Sequence, residues 1–323
     1  MIKFNVAGEM EPQASSAGII ADALSKVLDA DPAVMYLDAD LAGSVGLAGL
    51  FKKYPGRAFD CGVQEANMVG VAAGLSLTGM KPYIHSFAPF AVRRTFDQLY
   101  LSVGYAKANV RVFGSDPGFS AGVNGGTHMT FEDMALVREI PGSTVIDITD
   151  HAMLYDIFMR VKDLPGVTYI RMPRKWNKKV YEMGSEFPLG KGFVMKEGTD
   201  VTIIASGLVL TEAYQAAELL EKEGISARVV NMYCVKPLDN ELVIESAQKT
   251  GAILTVENHN MVGGLGSAVC ECLSAEYPVP VVRFGINERY GEVAPGAEEL
   301  YEVFGFTPEN LAKKAKEAIA KKK

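Results

Sequence analysis

The chain has 323 residues, 48% of them hydrophobic and 22% charged, with a formal net charge of −7. That length suffices for two ordinary domains with cores of their own, and the acidic balance excludes nucleic acid as the main partner, because phosphate backbones need a basic surface. No run approaches a membrane span, Met1 to Asn5 carry no apolar signal stretch, and Cys61, Cys234, Cys270 and Cys272 lack metal spacing, so a cytoplasmic protein with reduced, mostly buried thiols is expected.

Residues 15–28 are amphipathic and predict a helix that Ser15 or Ser16 would cap. Residues 34–37 form a short apolar strand. The run Phe59-Asp60-Cys61-Gly62-Val63-Gln64-Glu65 reads as a strand ending in a glycine turn, with Glu65 at the first turn of a small-residue helix over 69–77. Strands follow at 81–85, 109–113, 144–147 and 167–171, and helices at 90–103 and 151–161. Near-continuous apolar strands separated by helices predict a mostly parallel sheet covered on both faces.

A polar, turn-rich connector runs over 175–188, with Trp176, Asn177, Lys178, Lys179, Gly184 and Pro188. The same alternation then resumes, with strands at 201–205, 227–230, 252–256 and 279–284. Helices are predicted at 210–223, 238–247, 265–273 and from Pro308 into the Lys-rich tail. The expected fold class is α/β, with two doubly wound domains over 1–185 and 186–323.

Glu65 is the most informative residue. A carboxylate at the carboxyl edge of an α/β sheet sits where such folds put chemistry, although a first-turn acid also complements a helix dipole. Around it stand Asp38-Ala39-Asp40-Leu41-Ala42-Gly43-Ser44, Gly62-Val63-Gln64-Glu65-Ala66-Asn67-Met68, Ser86-Phe87-Ala88-Pro89-Phe90 and Gly125-Gly126-Thr127-His128. Arg171-Met172-Pro173-Arg174 ends the first domain. Glu257-Asn258-His259-Asn260-Met261-Val262-Gly263-Gly264-Leu265-Gly266 follows a strand of the second. This ordered set resembles the transketolase family of thiamine diphosphate enzymes over essentially the whole chain, and within it the C-terminal subunit of a split transketolase.

The resemblance implies a pyrimidine-binding domain followed by a transketolase C-terminal domain. It implies that Glu65 hydrogen-bonds the cofactor's aminopyrimidine, that Phe90 stacks on that ring with Phe87 lining the pocket, and that Asp40 lies near the thiazolium. It implies that His128 contacts the sugar near its reacting carbon, and that Arg171 and Ser44 bind its distal phosphate. His259 is either a residue near the substrate mouth or a satisfied interface histidine. The family's Gly-Asp-Gly run with a later Asn, which holds the diphosphate and its Mg2+ or other divalent metal, is missing here. An N-terminal partner subunit is therefore expected to carry that site, in an α2β2 assembly acting on sugar phosphates, with no metal ligand on this chain.

Three departures from the family stand out. Ser115-Asp116 replaces Thr-His, and Asp116 would repel a phosphate by like charge. Val123-Asn124 replaces Glu-Asp, leaving Asn124 to bond a hydroxyl without charge. Arg93 and Arg94 follow Phe90, where one position is usually small. The expectation is ketol transfer with an altered sugar. The alternatives are a deoxyxylulose-phosphate synthase-like enzyme, a 2-oxo acid dehydrogenase β-like subunit, or a non-catalytic regulatory subunit.

Overall fold

A computed structural model describes residues 10–13, 15–174 and 178–322. Lys175, Trp176 and Asn177 of the predicted connector lie outside the described residues, as do Met1 to Asn5.

Twelve strands among the described residues form two sheets. β1 (Val34–Asp38), β2 (Ala58–Asp60), β3 (Lys81–Phe87), β4 (Val110–Ser115), β5 (Thr144–Asp147) and β6 (Val167–Met172) belong to the first. β7 (Phe193–Lys196), β8 (Val201–Ala205), β9 (Ala227–Asn231), β11 (Ile253–Asn260) and β12 (Val281–Ile286) form the second, in the order β12-β11-β8-β9-β7. β10 (Cys234–Lys236) comes from the second half of the chain but pairs antiparallel with β5, giving the first sheet the order β10-β5-β6-β4-β3-β1-β2. Two doubly wound domains are as expected, and the strand exchanged between them is the addition. The short β10 follows β9 after only two residues, too brief a run to register as a strand by pattern.

Both faces of the first sheet are buried by strict alternation. Tyr36, Tyr83, Phe113 and Ile170 point into the layer of the Ala17–Ala30 and His151–Arg160 helices. Leu37, Ile84, Val112 and Tyr169 point into the opposite layer, with Met68, Val69 and Ala72 of the Glu65–Leu77 helix. Side chains alternate across a strand, so double coverage requires the uninterrupted apolar runs seen in the sequence.

Two local expectations change. Ser16 does not cap its own helix: its hydroxyl donates to the Pro173 carbonyl (3.0 Å) and meets His151 Nε2 at 3.1 Å, tying the helix to the end of β6. The stretch predicted as one helix over 90–103 is π-helical over Pro89–Arg93 and Leu99–Tyr105, around a short α-turn at Phe96–Gln98. Each π segment accommodates an extra residue in a helix, which carries both Arg93 and Arg94 past Phe90. Cys234 and Cys272 are buried and Cys61 and Cys270 half-buried, all as free thiols. No helix among the described residues is long and apolar enough to cross a membrane.

The lobes meet at a buried ionic knot. Arg171, 1% exposed, donates through Nε to Asp133 Oδ2 (2.8 Å) and through Nη1 to Asp147 Oδ1 (3.3 Å). Its Nη2 bonds the main-chain carbonyl of Asn258, across the seam. Tyr169 OH also donates to Asp133 (2.7 Å), and Ser206 Oγ to Asp147 (2.8 Å). With three acceptors engaged and almost no exposure, Arg171 has no face left for a sugar phosphate, which corrects its expected role. Its register opposite Gly114 on β4 and Asp147 on β5 keeps it within the ladder, one residue before β6 ends.

His259 is also fully buried in this seam. Its Nε2 lies 3.4 Å from the Ala135 amide and its Nδ1 lies 2.7 Å from the Asn260 carbonyl. It is the satisfied interface residue and does not reach a substrate mouth. The glycine-rich loop beside it is shaped by close approach: a Cβ on Gly264 would meet Glu257 Oε2 at 1.9 Å. The N–H groups of Leu265 and Gly266 donate to Glu257 at 2.6 and 2.8 Å, so the chain's own carboxylate fills this helix N-terminus.

Arg171→Met should cost about 3–5 kcal/mol of stability, because Asp133 and Asp147 would remain buried without their counter-charge; urea unfolding of the variant measures this. Burial pushes the Glu257 carboxyl up to about 7 against an ordinary 4.5, despite its two amide bonds. The native state thus keeps a proton that the unfolded chain releases between those values. This contribution is fully present below the ordinary value and is lost as pH rises through the folded one, about 3 kcal/mol in all. Thermal unfolding from about pH 5 to about pH 8 should lose more stability in the native protein than in Glu257→Gln.

Candidate active site

Parallel strands bring their carboxyl ends to one edge. Asp38 of β1 is level with His85 of β3, Phe87 with Ser115 of β4, and Ser115 with Met172 of β6. The segments leaving this edge carry Asp40, Phe90, Asp116 and Arg174, and the turn after β2 delivers Glu65. A buried network braces the edge from below. His85 bridges Asp38 Oδ2 (2.7 Å) and Ser115 Oγ (3.0 Å), and Tyr36 OH donates to the same Asp38 carboxylate. Burial acts to raise the Asp38 pKa, but these bonds outweigh it and hold the group below the usual range.

Glu65 opens its helix and is only 2% exposed. Ser86 Oγ lies 3.4 Å from Oε1, and Arg94 Nη1 donates to Oε2 at 2.7 Å. The Arg94 guanidinium also lies 4.2 Å from the centre of the Phe90 ring, a cation–π distance. Phe90 and Phe87 are 6.2 Å apart between ring centres, and the half-buried His128 meets their edges at 5.2 and 5.9 Å. His128 Nδ1 lies 2.9 Å from Thr127 Oγ1. One buried carboxylate, two aromatic rings and an imidazole thus converge in one place.

A second cluster adjoins the far side of Phe87. The Arg174 guanidinium lies 5.2 Å from that ring. Its Nη1 donates to the Ser44 carbonyl (3.1 Å) and its Nη2 to Asp116 Oδ2 (2.5 Å). Asp116 is 2% exposed and has a left-handed φ of 53°. Its charge is therefore met by Arg174, where the sequence suggested an isolated repelling acid. The Ser44 hydroxyl is turned inward, donating to the Leu41 carbonyl at 2.7 Å.

The remaining predicted residues stand at the rim. Asp40 is exposed with φ 62°, its amide held by Asp60 Oδ1 at 3.0 Å. Arg93 pairs with Glu132 at 2.8 Å, and both are partly exposed. Asn124 is exposed in the Gly122–Thr127 turn. Sequence reasoning missed Arg174 and chose Arg171, three positions earlier. The signal was available: Pro173 cannot donate to a central ladder and so ends β6, leaving Arg171 in the sheet and Arg174 beyond it. Among the described residues no group of three or more His, Cys, Asp or Glu side chains could hold a metal ion.

The transketolase pyrimidine binding domain model matches residues 13–178, and the transketolase C-terminal domain model matches 190–311. The 6-deoxy-6-sulfo-D-fructose transketolase subunit SqwH of a Clostridium species is 45% identical, over 93% of this chain and 93% of its own. A subunit of the apulose-4-phosphate transketolase of Phocaeicola vulgatus is 36% identical, over 93% of this chain and 96% of its own. Human transketolase is 34% identical over 93% of this chain but only 48% of its own length. A solved split-gene transketolase, described as an inactive beta4 tetramer, is 39% identical with a TM-score of 0.87, covering 96% of this chain and 99% of that one. By sequence and fold, the chain belongs to the transketolase family and carries that family's pyrimidine-binding and C-terminal domains.

Proposed function

We propose that this chain is one subunit of a ketol transferase, which with a partner subunit moves a two-carbon unit from a ketose to an aldose. The observation that carries this reading is the nearly fully buried carboxylate of Glu65 at the sheet edge, beside Phe87, Phe90 and His128. A carboxylate withdrawn from water and linked through Arg94 to the Phe90 ring fits the ring end of thiamine diphosphate, the cofactor on which the family depends. Bound, that cofactor supplies the nucleophilic carbon and electron sink for cleaving a carbon–carbon bond.

Each residue then has a task of its own. Glu65 shares a proton with the ring nitrogen and so controls the ring's tautomer. Phe90 and Phe87 offer stacking faces, worth about 0.5–1.5 kcal/mol beyond burial. Arg94 lies against both Glu65 and Phe90, so a ring seated there requires this half-exposed side chain to turn outward. His128 donates to, or shuttles a proton at, the sugar oxygen where charge develops. Arg174 replaces Arg171 as the cation for the sugar's distal end, with Ser44 and Asp116 beside it. Asp40, Arg93 and Asn124 are rim contacts in this reading.

The diphosphate and its divalent metal, Mg2+ or another, fall to the partner subunit, in an α2β2 assembly. This is supported by the match to about half of human transketolase and by two relatives that are themselves named as subunits. Those two relatives are named for sugars with different ends, one a sulfonate and one a phosphate, so the sugar is a separate question.

Two measurements test the proposal. The purified chain should show no ketol transfer until the partner subunit, thiamine diphosphate and Mg2+ are added. Turnover by the chain alone would sink the shared-site reading. In the reconstituted enzyme, Glu65→Gln should lower kcat by about 10²–10⁴-fold with an unchanged circular dichroism spectrum. Near-normal turnover in that variant would remove Glu65 from the chemistry.

A further inference from the structure

The Asp116–Arg174 pair has a property that the ketol-transfer reading leaves unused. The cation beside Phe87 comes already neutralised. Asp116 is 2% exposed and meets Arg174 Nη2 at 2.5 Å. The Ser44 carbonyl takes a second guanidinium nitrogen at 3.1 Å, and the aromatic face of Phe87 covers the group at 5.2 Å. The pair also holds two buried polar atoms without partners, Asp116 Oδ1 and Arg174 Nε. Buried polar atoms are seldom left unpaired in folded proteins. Here the missing complement is one acceptor for Nε and one donor for Oδ1.

We propose that Asp116, acting through Arg174, selects the charge of the sugar's distal group, so that the site takes a singly charged tetrahedral anion, a sulfonate, in preference to a phosphate dianion. The inference deepens the ketol-transfer reading and rests on it. A bare guanidinium in this position would reward the second negative charge of a phosphate. With a fixed carboxylate against it, the first negative charge still meets the unpaired N–H of Arg174, while the second meets only the field of Asp116. A sulfonate offers the same three oxygens with one charge at every working pH. The unpaired Asp116 oxygen accepts a hydrogen bond from a neighbouring sugar hydroxyl, a contact that does not depend on the distal charge. Asp116 is thus a positioning residue for specificity and takes no part in bond cleavage.

The test uses the reconstituted enzyme with its partner subunit, thiamine diphosphate and Mg2+. The donors are a ketohexose with a C6 sulfonate and the same ketohexose with a C6 phosphate, given one common aldose acceptor. The readout is the ratio of the two kcat/KM values within one preparation, which cancels any loss of folded protein. Wild type should favour the sulfonate by at least about tenfold near neutral pH, and Asp116→Asn should shrink that preference by about tenfold. These are the scales of a single charge contact. A phosphate monoester takes up its second proton near pH 6, whereas a sulfonate does not change. The wild-type preference should therefore narrow from about pH 7.5 to about pH 5.5, and this measurement needs no variant. A wild-type preference for phosphate, or a ratio unmoved by Asp116→Asn and by pH, would overturn the inference while leaving ketol transfer standing. Turnover of neither donor by the complete assembly would instead remove the ketol-transfer reading and this inference with it.

Discussion

The guanidinium of Arg171 is the point on which both lobes close. It is fixed by Asp133 and Asp147 from its own lobe and reaches the Asn258 carbonyl from the neighbouring one. Burying three charges is favourable only when every one is paired and hydrogen-bonded, so the geometry tolerates little displacement. The site inherits that rigidity. Asn258 also accepts from the Phe119 amide at 3.2 Å and donates to the Pro117 carbonyl at 3.5 Å, holding the loop that leaves β4 with Asp116 at its head. A buried contact of the seam thus sets the position of Asp116.

At the sheet edge the governing constraint is different: polar groups must be buried where the strands end. Asp38, His85, Ser115 and Tyr36 satisfy one another beneath the edge. Glu65 is satisfied by Ser86 and by Arg94, whose side chain is half exposed. The asymmetry is informative. Groups below the edge are locked by buried partners, and the carboxylate at the edge is held by a partner that solvent can replace. That is the arrangement expected where a ligand exchanges with a protein side chain.

Much of this was legible in the sequence, for definable reasons. The strands of both sheets declare themselves because double burial enforces unbroken apolar runs, and Glu65, Phe87, Phe90 and His128 converge as their motifs imply. What stayed hidden depends on distance rather than pattern. The spacing of Arg171 and Arg174 does not say which is committed to a salt-bridge knot; Pro173, which ends β6 at Met172, is the sequence cue that separates them. His259 reads as a candidate ligand until its full burial is seen. Asp116 reads as a lone acid until Arg174 is found against it. The π segments after Phe87 carry no signature beyond two consecutive arginines.

β10 has a consequence that reaches past the active site. The edge of the first sheet beyond β5 is completed by a three-residue strand borrowed from the other lobe, with Cys234 opposite Ile146 and Lys236 opposite Val145. An open sheet edge is a template for unwanted pairing. Cutting the polypeptide between its lobes would strip β5 of its neighbour and leave such a template bare. The two lobes therefore share a sheet, and removing the second would leave an edge of the first uncovered.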